Sequence, residues 1–290
     1  MNPIKIGILG GSGLYRMEGL TDVREHVMDT PYGAPSDALL LGKLHGIDVA
    51  FLARHGRSHG LIPSQIPFRA NIWAMKALGV QYLLSVSAVG SMREDIAPLD
   101  MVLPDQFIDF TRRREGSFFG DGAVAHVSLA DPVCGSLRGV LAQAFADAGF
   151  ADIRLHDGGT YVCIEGPAFS TRAESNWYRS LDAAVIGMTN MPEAQLAREA
   201  EIAYATLALA TDWDCWHPHQ ACVTAELAIA NLQSNAQRAQ TLLTYAVQRI
   251  ATTWPASAAH SALGSALVTP PAAMSPAIRT RLQPLIARFL

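Results

Sequence analysis

From Ile202 to Leu209 the chain is apolar at every position but Thr206. A strand with one wet face alternates polar and apolar residues, so an unbroken apolar run points to a strand covered on both sides. Cover on both sides is what helices give a largely parallel sheet, which constrains the fold to the α/β class. The run leads through Ala210 and Thr211 into Asp212-Trp213-Asp214-Cys215-Trp216. Ligands of open α/β sheets bind beyond the carboxyl ends of such strands. Strand side chains repeat every second residue, which predicts Asp212 and Asp214 on one side, facing a ligand. Two like charges that close raise at least one proton affinity, favouring a carboxylic acid able to protonate something. A plain Asp-x-Asp turn, with Asp212 capping the next helix, satisfies the same string.

Further β-type runs stand at Ile4–Leu9, Val49–Ala53, Tyr82–Ala88, Met101–Leu103, Tyr161–Ile164, Val185–Ile186 and Tyr204–Ala210. Helix-like stretches at Phe68–Leu78, Leu137–Ala148 and Pro192–Ala200 separate them, and one long helix is expected over residues 224–253, free of Gly and Pro. The reading is a mixed central β-sheet flanked by helices in one domain over residues 1–290, its core at about 4–254, with a loop and last helix over 255–290. The chain has 290 residues, half of them hydrophobic and 17% charged, enough to bury a large core. A net charge of −4, with no basic run longer than Arg112-Arg113-Arg114, argues against a nucleic-acid surface. That triplet reads as a solvated loop. Without an apolar stretch of about 18 residues or a basic, apolar leader, the expectation is a soluble, cytoplasmic protein with no membrane partner. Cys134, Cys163, Cys215 and Cys222 follow no zinc spacing and are expected as reduced thiols; no metal site is indicated.

Three other strands end in groups suited to an anion. The first empties into Gly10-Gly11-Ser12-Gly13, where small residues expose N–H groups and a hydroxyl; a tight turn with no ligand is the lesser alternative, and the spacing disfavours a dinucleotide site. The second ends in Arg54-His55-Gly56-Arg57-Ser58-His59, in which Arg can hold two phosphate oxygens and His can donate to a third. The third ends in Ser85-Val86-Ser87-Ala88-Val89-Gly90-Ser91. Downstream, Phe169 sits at a strand-to-helix junction where it can stack on a planar base or serve in the core, and Met188 and Thr189 sit at another.

Taken together, Gly10-Gly11-Ser12-Gly13, Arg54-His55-Gly56, Glu165-Gly166-Pro167-x-Phe169-Ser170, Met188-Thr189-x-x-Pro192-Glu193 and Thr211-Asp212-x-Asp214-Cys215-Trp216 resemble the trimeric purine nucleoside phosphorylase and methylthioadenosine phosphorylase family. The resemblance covers about residues 4–250, and its last motif looks like the methylthioadenosine branch. It implies the nucleoside phosphorylase fold and phosphorolysis of S-methyl-5'-thioadenosine, with adenosine as a further substrate, to adenine and a ribose 1-phosphate. By similarity, phosphate is held by Ser12, Arg54, His55, Ser87, Ala88 and Thr189. Met188 lies under the ribose, Phe169 and Ser170 lie beside the base, and Asp212 and Asp214 face the purine edge, with Asp212 as general acid at N7. The resemblance also implies a homotrimer, with His126 reaching the 5′ side from a neighbouring subunit, and no cofactor beyond phosphate.

Relatives that prefer 6-oxopurines resemble this chain but carry Asn at the position of Asp212, so Asp212 favours adenine-type bases. Ala168 replaces an Arg, and Gly187 an Asn, of the human-type pattern. Ala225 and Ala228 replace Val in the pocket for the 5′ substituent, which predicts a roomier pocket that grips a methylthio group less. The competing readings are a 6-oxopurine or methylthioinosine phosphorylase, a non-catalytic nucleoside- or phosphate-binding protein that would not need Asp212, and, more distantly, a Rossmann-type dehydrogenase.

Overall fold

The computed structural model describes residues 3–11, 14, 17, 19–219 and 222–290. Eleven strands follow in order: β1 (Ile6–Gly10), β2 (Leu20–His26), β3 (Leu39–Leu44), β4 (Ile47–Ala53), β5 (Tyr82–Ser91), β6 (Met101–Leu103), β7 (Gln106–Asp109), β8 (Leu155–Asp157), β9 (Thr160–Cys163), β10 (Ala183–Gly187) and β11 (Ala203–Asp212). The helices are α1 (Phe68–Ala77), α2 (Gly135–Ala148), α3 (Arg172–Ser180), α4 (Asn190–Glu199), α5 (Ala225–Thr253) and α6 (Pro276–Ile286). All belong to the α/β plan expected from the sequence. One path through the sheet runs β2-β3-β4-β1-β5-β10-β9-β7, while β11 pairs with β5 and β6, and β6 with β8.

β11 is buried at all ten residues. Ala203, Ala205, Leu207 and Leu209 pack with α2 and α5, whereas Tyr204, Ala208 and Ala210 join the core formed with α1, α4 and α6. The period-2 rule therefore operates with both faces dry, and a fully buried Leu at such a position is worth about 1.5–3 kcal/mol. β5 is shared among three partners. It lies parallel to β1 over Tyr82–Ser85 and to β11 over Tyr82–Gly90, and its last residues, Gly90 and Ser91, pair antiparallel with β10. That divergence opens a space at the carboxyl ends of β1, β4, β5 and β11.

Four strands, β2, β3, β7 and β8, have no counterpart among the runs read from the sequence, although β3 opens on Leu39-Leu40-Leu41. β2 is almost wholly exposed and reads Leu-Thr-Asp-Val-Arg-Glu-His; its place is an edge, paired only with β3. β7 and β8 are short and carry polar residues. The long helix begins one residue after Thr224, whose hydroxyl accepts from Leu227 N–H as an N-cap. Asp212 is not its cap. The tail expected as a loop contains 3-10 turns at Ala258–Gly264 and Pro271–Ala273 and is pinned to the body. Leu263 N–H donates to Glu201, and Trp73 Nε1 donates to the Arg281 carbonyl.

Beside the space at the strand ends, neighbouring strands β9 and β10 are fitted to each other. A Cβ on Gly187 would overlap Tyr161 Oη and lie 2.6 Å from its Cζ. Tyr161 is fully buried and has no room to swing away. Gly187→Ala is expected to cost about 1–3 kcal/mol through overpacking and to lower Tm by roughly 2–10 °C in scanning calorimetry. An unchanged Tm would show that the Tyr161 ring yields.

Candidate active site

The space between the diverging strands is a cavity of about 590 Å³, lined by Gly11, Arg54, His55, Ser87, Ala88, Phe169, Ser170, Met188, Thr189, Asp212, Asp214, Ala225 and Ala228, among others. Its size suits a nucleoside-sized ligand. Of the site residues that the family resemblance implies, all line it except two. Ser12 lies outside the described residues. His126 is held elsewhere on the same chain, its N–H donating to the Ala266 carbonyl.

At one end of the cavity a fully buried Arg54 follows directly on β4. Its Nε donates to Glu193 Oε2 at 2.7 Å, and its Nη2 to Ser85 Oγ at 2.7 Å and Glu193 Oε1 at 3.1 Å. Nη1 donates to the Val86 carbonyl at 2.9 Å. The two-pronged face expected to clasp phosphate is thus turned onto Glu193. Among the described residues one of the five guanidinium donors, on Nη1, has no acceptor; Nη1 stands beside Gly11, whose missing Cβ would lie 3.3 Å from it. Burial alone would lower the proton affinity of Arg54, but the Glu193 charge outweighs it and holds the guanidinium firmly cationic. Glu193 also accepts from Ser85 Oγ at 2.7 Å and Tyr204 Oη at 2.8 Å, so its carboxylate is fully hydrogen-bonded, as a buried charge must be.

His55 Nδ1 lies 2.9 Å from the Leu61 carbonyl. A carbonyl only accepts, so Nδ1 carries the proton. Burial, with the neighbouring Arg54 charge, lowers the ring's pKa to about 4 and keeps the imidazole neutral. Ser87 Oγ lies 3.2 Å from both Tyr161 Oη and Thr189 Oγ1, a chain of three hydroxyls at the cavity wall. Burial pushes the Tyr161 phenol well above its ordinary value, so it keeps its proton.

At the other end, β11 bulges between Ala210 and Asp212, opposite Gly90. A Cβ on Gly90 would stand 3.0 Å from Asp212 Oδ1, so this glycine gives the carboxyl its room. Asp212 Oδ1 accepts Asp214 N–H at 2.8 Å, Oδ2 accepts the Thr211 hydroxyl at 2.7 Å, and Asp214 adopts φ +51. A side-chain-to-backbone turn, not strand alternation, therefore brings the two residues to the same cavity. The pKa of Asp212 is raised to about 6, and burial is the leading cause; the Asp214 charge adds the least. Asp214 is also raised, again chiefly by burial. Ser170 Oγ is buried in the same wall with no protein partner among the described residues. Phe169 stands 44% exposed at the rim, and Ala225, Ala228 and Ile229 of the first turns of α5 close the remaining side.

A model of the Phosphorylase superfamily matches residues 5–248. The chain belongs to that superfamily. It is 59% identical over 286 residues to the S-methyl-5'-thioadenosine phosphorylase of Thermosynechococcus vestitus, covering 99% of each chain. A crystal structure of methylthioadenosine phosphorylase from an antarctic soil metagenomic library superposes with a TM-score of 0.94 at 58% identity, over 98% of this chain and 99% of that one. Methylthioadenosine phosphorylase from Schistosoma mansoni in complex with adenine superposes at 0.82 and 34% identity, over 86% and 92%.

Several supports of this phosphorylase site carried no sequence signal of their own. Glu193, Tyr204 and Tyr161 look like ordinary helix and core residues, and only their convergence shows what they hold. Arg114 reverses its expected place in a solvated loop. Its side chain is buried, with Nη1 donating to the Met191 carbonyl at 2.6 Å and Nη2 to the Glu165 carbonyl at 2.8 Å. Burial would raise the pKa of Glu165. The Ser64 hydroxyl, the Arg112 and Arg113 N–H groups and the Arg114 charge together hold it down at about 2. This clamp fixes the start of the loop that carries Phe169 and Ser170. Cys134, Cys163 and Cys215 are buried free thiols, whereas Cys222 is exposed. Among the described residues no three His, Cys, Asp or Glu side chains converge as metal ligands.

Because the folded pKa of Asp212 lies above its ordinary 3.8, ionisation opposes folding. The cost is absent below about pH 4 and fully developed above about pH 6, where it reaches about 3 kcal/mol. Carbon-13 NMR of labelled Asp carboxyls is expected to show Asp212 titrating near pH 6, and still raised in Asp214→Asn. A return to the ordinary value in that variant would make like-charge repulsion the cause.

Proposed function

We propose that this phosphorylase cleaves S-methyl-5'-thioadenosine, inorganic phosphate displacing adenine from C1′ to give adenine and 5-methylthioribose 1-phosphate in purine and methionine salvage. The observation that carries the reading is the polarity of one cavity. Hydroxyls, N–H groups and the Arg54 guanidinium held by Glu193 line one end, and a buried carboxyl that keeps its proton up to about pH 6 lines the other. Breaking a glycosidic bond to a purine makes C1′ cationic and leaves charge on the base. An anion at the sugar face and a proton donor at the base meet both demands. Asp212 is the proton donor to N7, and Asp214 with Ser170 reads the 6-amino edge. Met188 underlies the ribose, and the phosphate lies among His55, Ser87, Ala88, Thr189 and Arg54 Nη1, to which the family resemblance adds Ser12. Adenosine is a second substrate, because Ala225 and Ala228 leave the 5′ side roomy. The relatives bearing the methylthioadenosine name support this substrate over 6-oxopurine nucleosides.

No helix of the described residues is long and apolar enough to cross a membrane. The reading includes a cytoplasmic homotrimer of single-domain subunits without a cofactor, in which a neighbour's His126 completes the 5′ side. Turnover of methylthioadenosine, adenosine, inosine and methylthioinosine with and without phosphate tests it. Phosphate-dependent release of adenine is expected, and no turnover with phosphate present would end it. kcat/KM for the nucleoside reports the free enzyme and is expected to fall as pH rises through about 6. Asp212→Asn is expected to lose roughly a hundredfold in adenine release and to shift preference toward 6-oxopurines. The double variant A225V/A228V is expected to lower KM for methylthioadenosine relative to adenosine by roughly threefold to tenfold, by restoring apolar contact with the methylthio group. Equal effects on both substrates would place these alanines away from the 5′ substituent.

A further inference from the structure

The orientation of the phosphate depends on what its partners can give, and His55 differs from the rest. Its Nδ1–H is committed to the Leu61 carbonyl at 2.9 Å, which leaves the Nε2 edge to the cavity the ring lines. The groups around the ring discourage a second proton. The ring is buried, the Arg54 guanidinium follows in the chain, and His59 stacks on its face at 4.5 Å. Two groups favour a cation there, the Leu61 carbonyl that accepts from Nδ1 and the Glu193 charge, and burial outweighs them; Glu193 is moreover bonded at both oxygens to Arg54. Nε2 therefore presents a lone pair.

We propose that His55 is an acceptor in the phosphate site: Nε2 takes a hydrogen bond from a P–OH group, so phosphate binds in one orientation. Its hydroxyl lies on His55, and its unprotonated oxygens lie on the hydroxyls of Ser87 and Thr189 and on the remaining Arg54 N–H. This rests on the phosphorolysis reading above and deepens it.

The proton balance agrees. The phosphate dianion carries one proton and ribose 1-phosphate carries none on its phosphate, while the departing purine gains one. As the C1′–O bond forms and the C1′–N9 pair leaves with the base, the proton of Asp212 passes to N7, while the P–OH stays on Nε2. Once the phosphate is esterified that proton is more acidic, and its loss reloads the Asp212 carboxylate, so the imidazole stays neutral throughout. No co-reactant is needed.

Monofluorophosphate separates acceptor from donor. It matches the phosphate dianion in shape and charge but has fluorine where phosphate has its hydroxyl, and so cannot donate to Nε2. Binding of each anion to the intact protein is measured by calorimetry at about pH 8, in two buffers of different ionisation enthalpy. Phosphate is expected to bind at least tenfold more tightly than fluorophosphate, with proton uptake near zero. In His55→Ala the two are expected to bind within about threefold of each other. Equal binding to the native protein, or uptake approaching one proton with phosphate, would make His55 a cationic donor and overturn the proposal. Absence of phosphate binding would overturn the phosphorolysis reading itself, and this inference with it.

Discussion

The buried pair of Arg54 and Glu193 is the joint on which the anion end of the cavity depends. Its bonds reach Ser85 and Val86 on β5 and Tyr204 on β11, so one ion pair ties the end of β4 to two further strands and to α4. A buried pair of this kind adds little net stability over an apolar replacement, but loss of one partner is costly because the other charge is left stranded. Its value here is geometric. It fixes the strand ends at which Ser87, Ala88 and Thr189 are presented and sets the direction of the last guanidinium N–H.

A second consequence concerns charge. Arg54 is neutralised by Glu193, and His55 is neutral, so among the described residues the anion end offers directed N–H and O–H groups without much net positive charge. Phosphate recognition then rests on the number and aim of donors. A cavity built this way discriminates by shape and by where the protons lie, and suits a doubly charged co-substrate that must later depart as part of a product.

The strands buried on both faces were legible because burial left an unbroken apolar run, as in β11 and β1. β2 was not, since an edge strand with wet faces is composed like a loop. The site residues at strand ends were legible for the same reason the fold was: each follows an apolar run directly. Two physical causes were not. The carboxyls of Asp212 and Asp214 were expected together through alternation, yet a bulge and a turn bring the two residues to one cavity, and burial more than mutual repulsion raises Asp212. Arg114 carries no local mark that distinguishes it from Arg112 and Arg113. Only the tertiary placement of Glu165 and the Met191 carbonyl draws it inward.

The fit of Tyr161 against Gly187 has a bearing on how such a site can diverge. The phenol occupies the volume that any side chain at 187 would need, while its hydroxyl supports Ser87. Neither position can drift by itself without loss, so the two form a single heritable unit with two spellings. A chain that carries a larger residue at 187, such as the Asn of the human-type pattern, must carry something smaller than tyrosine at 161, and must find another support for the serine hydroxyl.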